Sequence, residues 1–509
     1  MTVQDSTVAE RPESVASAIA HNSGGLYIGG EWMSRSTAAT TPLVAPATEQ
    51  VYAHAVVPTI ADADAAVAAA RRAFETGTWR TTPVAERVSI INRACGLIAK
   101  RAGVIAEIAA HEMGAPVQVT RMMTGVVLDV VRGMGELARS VPDVEPGTGL
   151  WDFEIQRDPA GVVVDIVPWN SPFTATMMKS AQALLAGCSV ISKPPPTAPL
   201  AVVEWARALE LAGLPKGVYS VLAADPSVAE HLVEHPGVDL VVFTGGTGVG
   251  RRVAELCGRN LKRVVLELGG KSAAVVLDDA DLQLAVDSVA ASVYFNSGQI
   301  CSALSRLVIP AHAVDDVVEM LRVKANSVVV GDPLADTTTM GPMATREHHQ
   351  RVLQRVREGR EEGGRLVFGG ERPTEPAQGW YVTPALFVGD NSMSIAREEI
   401  FGPVVTILPY DHVDEAVAIA NDSPFGLGGS VFSRDDEQAR AVAAQLDTGS
   451  VTINGYTTNL LAPRDPHKDS GIGSVTGAAG YQNFRTSRLV NLRAGGRAWR
   501  PTELFADAD

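Results

Sequence analysis

The stretch from residue 161 to 246 most constrains what this chain can fold into. Apolar runs at GVVVDIVPWN (161–170), CSVISKPPP (188–196), GVYSVLAA (217–224) and VDLVVFTGG (238–246) are separated by helical stretches such as 172–186. Runs this continuous cannot alternate between core and solvent. They read as strands buried on both faces, which is the condition of a parallel sheet covered by helices. The pattern predicts a doubly wound α/β unit with ligands beyond the carboxyl ends of its strands.

A second alternation begins at KRVVLELGGKSAAVVL (262–277) and continues through ALSRLVIP (303–310), VVTILPY (404–410), GSVFS (429–433) and GSVTING (449–455). It predicts a second α/β unit with its own strand set. More than one core suits a chain of 509 residues, because single cores stop growing well short of that length. Residues 1–24 are polar and read as a mobile tail before LYIGGEWM (26–33), a short strand with a Gly-Gly turn. ADADAAVAAARRAFETGTW (61–79) has helical spacing with Asp residues as the N-cap, and helical patterns continue to about 140 as alanine-rich surface helices. GLWDFEIQRDPAG (149–161) reads as a hairpin set before the first sheet, and FRTSRLVNLRAGG (484–496) as another extended piece. Extended pieces that join neither sheet often serve subunit contacts.

Composition narrows the function. A formal charge of −15 opposes a general affinity for nucleic acid, which needs clustered Lys and Arg. No apolar run approaches the roughly 18–20 residues of a membrane span, and the N-terminus lacks both a basic and an apolar leader region. A soluble cytoplasmic protein is expected. The four cysteines, at 95, 188, 257 and 301, form neither a CxxC nor a Cys/His ligand spacing, so neither a disulfide framework nor a metal site is expected. Each cysteine must be judged alone.

Several short stretches could carry chemistry. FTGGTGVG (243–250) joins a strand to a helix through glycines that would let backbone N–H groups approach a phosphate, yet it completes neither the GxGxxG nor the P-loop pattern. In LELGGKS (266–272), Glu267 ends an apolar strand, where desolvation would raise its pKa toward the working range of a general base; a salt-bridged loop Glu is the plainer reading. Asn170 ends a strand and could be an N-cap or an oxyanion donor, while Lys193 ends the next and could be a surface lysine or a ribose or phosphate ligand. Cys301 follows FNSGQI (295–300), where a helix N-terminus or loop amide could favour the thiolate. A free cysteine is more often a small buried hydrophobe, and the other three fit that description.

Taken together, PWNSPF, SKPPPTAP, FTGGTGVG, LELGGKS, GQIC and EEIFGPV, in this order and spacing, resemble the NAD(P)-dependent aldehyde dehydrogenase superfamily from about residue 26 to 491. The resemblance implies two doubly wound α/β domains plus a small β element. A Rossmann-like cofactor domain would span 25–140 and 158–266, and a catalytic domain 267–475. The oligomerisation element, at 141–157 and 480–500, would build a homodimer or homotetramer. It further implies that Cys301 is the nucleophile, Glu267 the general base, Asn170 an oxyanion donor and Lys193 a ribose ligand. Cofactor contacts would come from Ile166, Val167, Pro168, Trp169, Lys193, Gly245, Gly246, Gly250 and Leu268, with Glu399 and Phe401 holding the nicotinamide riboside. Such a site turns an aldehyde into a carboxylic acid through a cysteine thiohemiacetal and thioester. Retention of Glu267 favours hydrolysis over acyl transfer to coenzyme A.

The sequence also departs from that pattern. Pro196 stands where a Glu often binds the adenosine ribose, so NAD is the expected cofactor with NADP left open. Gly246 and Gly248 replace the familiar Ser and Glu of the phosphate loop. Ala223-Ala224-Asp225 lacks the usual glycine, and APRDPHKDSG (462–471) replaces a PFGG-like run at the substrate entrance. Ser171 stands where an aromatic is common and Met178 where a Trp often lies. With Phe295 and Ile300 as further walls, a medium-sized apolar or aromatic aldehyde is expected. The rival readings are a non-catalytic relative of the same fold and an esterase-like enzyme without a redox step.

Overall fold

The computed structural model describes residues 14–23, 25–34, 39–149, 152–457 and 459–492. The apolar runs become the parallel strands Val162–Ile166, Ser189–Lys193, Tyr219–Val221, Leu240–Thr244 and Arg263–Glu267 of one sheet. From Val162–Ile166 the chain adds two strands on one side, then crosses over and adds Leu240–Thr244 and Arg263–Glu267 on the other. That reversal of strand order opens a crevice beyond the carboxyl ends of Val162–Ile166 and Leu240–Thr244. Both faces are covered. Val163, Val190, Val242 and Val265 enter one apolar cluster, while Val162, Val164, Ile191, Val241 and Leu266 enter another.

The second sheet sets Ala385–Val388, Val404–Tyr410, Arg306–Pro310, Ala273–Val276, Gly429–Phe432 and Val451–Ile453 side by side and parallel, with Arg365–Phe368 antiparallel at one edge. Its residues also alternate between two clusters, Ala274, Leu307 and Ile407 on one face and Val275, Val308 and Leu408 on the other. Val144–Thr148, Asp152–Pro159 and Arg485–Asn491 form a separate three-stranded antiparallel sheet. The expected α/β architecture with a small β element is therefore present.

Four expectations need correction. Residues 15–23 are not tail but helix, Val15–Ser23, with Ala18 and Asn22 buried; Asn22 donates to Leu200 O at 3.1 Å and to Glu204 Oε1 at 2.8 Å. Residues 1–13 and 24 lie outside the described residues. The helix Ile60–Thr76 is capped by Thr59, in a capping box with Asp62, and not by the aspartates expected to cap it. The helices Val84–Met113 and Val117–Ser140 are core elements, with Val88, Ile91, Ile98, Val127 and Val131 buried; in the first, buried Ala94, Ala106, Ala109 and Ala110 mark close packing. Finally, 262–277 is two strands in two sheets, Arg263–Glu267 closing the first and Ala273–Val276 opening the second. Among the described residues no helix is long and apolar enough to cross a membrane.

Candidate active site

A cavity of about 220 Å³ lies at the reversal point, lined among others by Trp169, Asn170, Gly245, Gly246, Cys301 and Glu399. The loop before Cys301 is locked in an uncommon shape. Asn296 and Ser297 are left-handed (φ 47° and 58°), and Gly298 (φ 73°) lies so close to Gly402 that a Cβ there would stand 2.2 Å from its carbonyl oxygen. Ser297 Oγ donates to Gly341 O at 2.8 Å, Gln299 Nε2 donates to Asn296 O at 3.0 Å, and Gln299 Oε1 accepts from Ala344 N at 2.9 Å.

Asn170 is tied to this loop from the end of its strand. Its Nδ2 donates to Gln299 O at 2.7 Å, and Asn296 Nδ2 donates to Asn170 O at 3.1 Å. One Nδ2 proton is thus spent on orientation. Asn170 is not an N-cap. The position before the helix Pro172–Ala186 is Ser171, which makes no capping bond.

Cys301 sits in a turn and not at a helix N-terminus, so of the two expected sources of help the helix dipole is absent and the loop amide, its own backbone N–H, is present. Burial pushes its thiol up to about 11, with Arg464 pulling it back and Glu267 and Glu399 adding to the rise. Its neighbour Ser302 shares a 3.0 Å hydrogen bond with the Tyr456 hydroxyl. Cys301 is part-exposed, whereas Cys95, Cys188 and Cys257 are buried.

Glu267 is buried at the end of its strand, which raises its carboxyl pKa; Arg464 and Lys179 oppose the rise and Asp465 adds to it. Its Oε1 has no hydrogen-bond partner and its Oε2 lies 3.8 Å from Arg464 Nη2. Lys179 in turn sits 3.8 Å from Asp165 and donates to Thr244 Oγ1. Burial lowers the Lys179 ammonium and raises the Asp165 carboxyl, each opposing the other's shift.

On the far wall Phe401, left-handed at φ 58°, stands edge-on to Trp169 with ring centroids 5.3 Å apart. The Phe401 carbonyl accepts from His348 Nε2 at 2.6 Å. Burial holds His348 neutral, its pKa pushed down to about 4. Glu399 Oε1 accepts from Gly270 N at 3.0 Å, and burial raises its carboxyl.

Of the sequence candidates, Pro168, Trp169, Asn170, Ser171, Gly245, Gly246, Leu268, Cys301, Glu399 and Phe401 line the cavity. Ile166 and Val167 are buried behind it. Gly250 lies within the helix Thr247–Arg259, where a Cβ would strike Leu268 at 2.4 Å. Lys193 lies outside the lining; burial pushes its ammonium down to about 8 against the pull of Asp225. Met178, Phe295 and Ile300 do not line the cavity either, and Met178 and Ile300 pack against core clusters instead.

Lys179, Arg464 and Tyr456 were missed. A lone Lys in the apolar helix TATMMKSAQALL was a legible cue for the first. Arg464 lies in APRDPHKDSG (462–471), which the sequence marks as a departure at the substrate entrance but not as a neighbour of Glu267; the antiparallel pairing of Gly471–Ile472 with Leu266 and Glu267 follows it in the chain.

The family model described as the aldehyde dehydrogenase family matches residues 32–490. The chain is 39% identical to a geranial dehydrogenase of Castellaniella defragrans, over 91% of this chain and 98% of that one. The structure superposes with a TM-score of 0.89 on a cysteine-to-alanine variant of aldehyde dehydrogenase C from Pseudomonas syringae in complex with NAD+ and octanal, at 37% identity and covering 92% and 97% of the two chains. A Mycobacterium tuberculosis aldehyde dehydrogenase complexed with NAD+ gives a TM-score of 0.91 at 37% identity, over 93% and 99%.

Proposed function

The chain belongs to the aldehyde dehydrogenase family, and from that premise we propose that it oxidises an aldehyde to the carboxylic acid with NAD, using Cys301 as nucleophile and Glu267 as base. The observation that carries this reading is that a part-exposed cysteine and an amide tied to its loop line the cavity at the reversal point of the first sheet, with the buried strand-end carboxylate of Glu267 outside the lining yet near enough to act on the thiol.

The cavity suits a dinucleotide. A Cβ on Gly246 would meet nothing within 4 Å, and the helix Thr247–Arg259 begins there without a side-chain cap, leaving its N–H groups for a phosphate. Pro168, Trp169, Gly245, Gly246, Leu268, Glu399 and Phe401 would hold the cofactor, with Ile166 and Val167 behind them and Lys193 as ribose ligand. When bound, NAD supplies the hydride acceptor.

The protein's own part begins with the Cys301 thiolate attacking the aldehyde carbon, giving an alkoxide that the Asn170 amide can stabilise. Loss of hydride leaves a thioester on Cys301. Glu267 then takes a proton from water, whose oxygen attacks the thioester carbon; the acid leaves and Cys301 is released as thiolate. The proton on Glu267 must return to solvent before the next cycle.

The substrate is read as a medium-sized apolar or aromatic aldehyde. The small Ser171 and Ala175 side chains on the cavity wall leave room for one, and a geranial dehydrogenase and an octanal-bound aldehyde dehydrogenase among the similar proteins support the same reading. We read the protein as cytoplasmic, consistent with four free cysteines, and as a homodimer or homotetramer. A panel of neutral aldehydes with NAD and with NADP, followed by absorbance of the reduced cofactor, tests the function. Oxidation of octanal with NAD, lost in Cys301→Ala, is expected. Absence of cofactor reduction across the panel would contradict it and favour the esterase-like or non-catalytic reading.

A further inference from the structure

We propose that Arg464 is the shared counter-charge of this site, a positioning residue whose guanidinium lets the Cys301 sulfur and the Glu267 carboxylate carry negative charge in one buried pocket. The inference rests on the nucleophile-and-base reading above and gives a role to a residue of APRDPHKDSG (462–471), a stretch read from the sequence only as a departure at the substrate entrance.

The need comes from the chemistry. Attack requires a thiolate, and hydrolysis requires a carboxylate able to take a proton from water. Cys301 is part-exposed at the cavity and Glu267 is buried, yet the surrounding protein opposes both charges, and each charge opposes the other. A nearby cation must offset this.

Among the described residues two cations act on the pair, while a third, Arg351, lines the cavity and acts on Glu399 instead. Lys179, from the helix Pro172–Ala186, is already committed: it lies 3.8 Å from Asp165 and donates to Thr244 Oγ1. Arg464 is not committed in that way. Its Nη2 lies 3.8 Å from Glu267 Oε2, and its Nε and Nη1 are buried without a hydrogen-bond partner. Of the groups that favour the ionised forms, Arg464 acts most strongly on both Cys301 and Glu267. It also acts on Tyr456, whose hydroxyl bonds to Ser302 beside the nucleophile. The remaining charged neighbours, Asp465 beside Glu267 and Glu399 beside Cys301, are carboxylates and oppose ionisation.

A guanidinium suits the task because it stays protonated throughout the working pH range, whereas a buried ammonium loses its charge readily. The fold places it there. Pairing of Gly471–Ile472 with the Glu267 strand brings the segment before it back over the first sheet, and the Ser474 hydroxyl donates to Arg464 O at 2.7 Å.

The test is alkylation of Cys301 by iodoacetamide in the full-length protein, followed by peptide mass from pH 6 to 10, with Cys301→Ala as background. In Arg464→Met the alkylation curve should shift to higher pH, with a rate near neutrality reduced roughly tenfold for each unit by which the thiol pKa rises. Arg464→Lys, whose ammonium holds its charge best at the low end of the range, should follow the wild type there and fall toward the Met variant as pH rises, and Arg464→Gln replaces the Met variant if that one does not fold. A neutral variant that is folded, by circular dichroism, and alkylates along the wild-type curve overturns the proposal. If Cys301 is not alkylated even in the wild type, the nucleophile reading itself fails, and this proposal with it.

Discussion

At the scale of single residues, Cys301 is distinguished by access and not by acidity. Burial pushes the thiols of Cys95, Cys188, Cys257 and Cys301 all up to about 11, yet only Cys301 opens onto the cavity. A pH dependence follows. A raised thiol pKa means that the reactive thiolate is scarce at neutral pH and grows about tenfold per unit until the thiol titrates. Glu267, also raised, becomes a competent base only as it loses its proton. We therefore expect kcat/KM for octanal to climb from pH 7 toward pH 10, in steady-state assays at saturating NAD; a profile flat from pH 6 would contradict the buried-thiol account. Asn170 and Glu267 were legible as candidates because each stands at or just past a strand end inside a distinctive short motif, and Cys301 because it follows the unusual loop sequence FNSGQI. Met178 and Ile300 misled because a residue's place in a motif does not say which way its side chain points, and here both pack into core clusters.

At the scale of elements, the parallel strands were legible because burial on both faces writes an uninterrupted apolar run. What separates the two sheets was not. The run 262–277 is apolar on both sides of Gly269-Gly270, so no change of hydropathy marks where one sheet ends and the other begins. Nor does local sequence reveal that Gly471–Ile472 returns to the first sheet, since a two-residue strand carries no periodicity. The cysteine loop depends on glycine in a way that can be tested. At Gly298 a methyl group would collide with Gly402 in a left-handed conformation, so Gly298→Ala must move the loop that carries Cys301. Because a displacement of about 1 Å can cost about a hundredfold in rate, we expect a kcat/KM loss of at least that order. A variant with wild-type kcat/KM would show that the loop tolerates a different shape.

At the scale of the whole molecule, the two sheets form the site together, one supplying Asn170 and Glu267 and the other the framework around Cys301 and Glu399. The three-stranded sheet stands apart from this chemistry and exposes Val144 (45%) and Leu489 (59%) on strands that join neither large sheet. If it joins subunits, truncation after Phe484, which removes its third strand, should lower the mass measured by light scattering to that of a monomer; an unchanged oligomer would place the interface elsewhere. The central claim, an acyl group held on Cys301 and released through Glu267, has a more direct test. In Glu267→Gln mixed with octanal and NAD, we predict a burst of one NADH per site followed by slow turnover. Rapid-quench mass spectrometry should then find an octanoyl group on the peptide that contains Cys301. An NADH burst with no acyl group on that peptide, or undiminished steady turnover, would contradict the account.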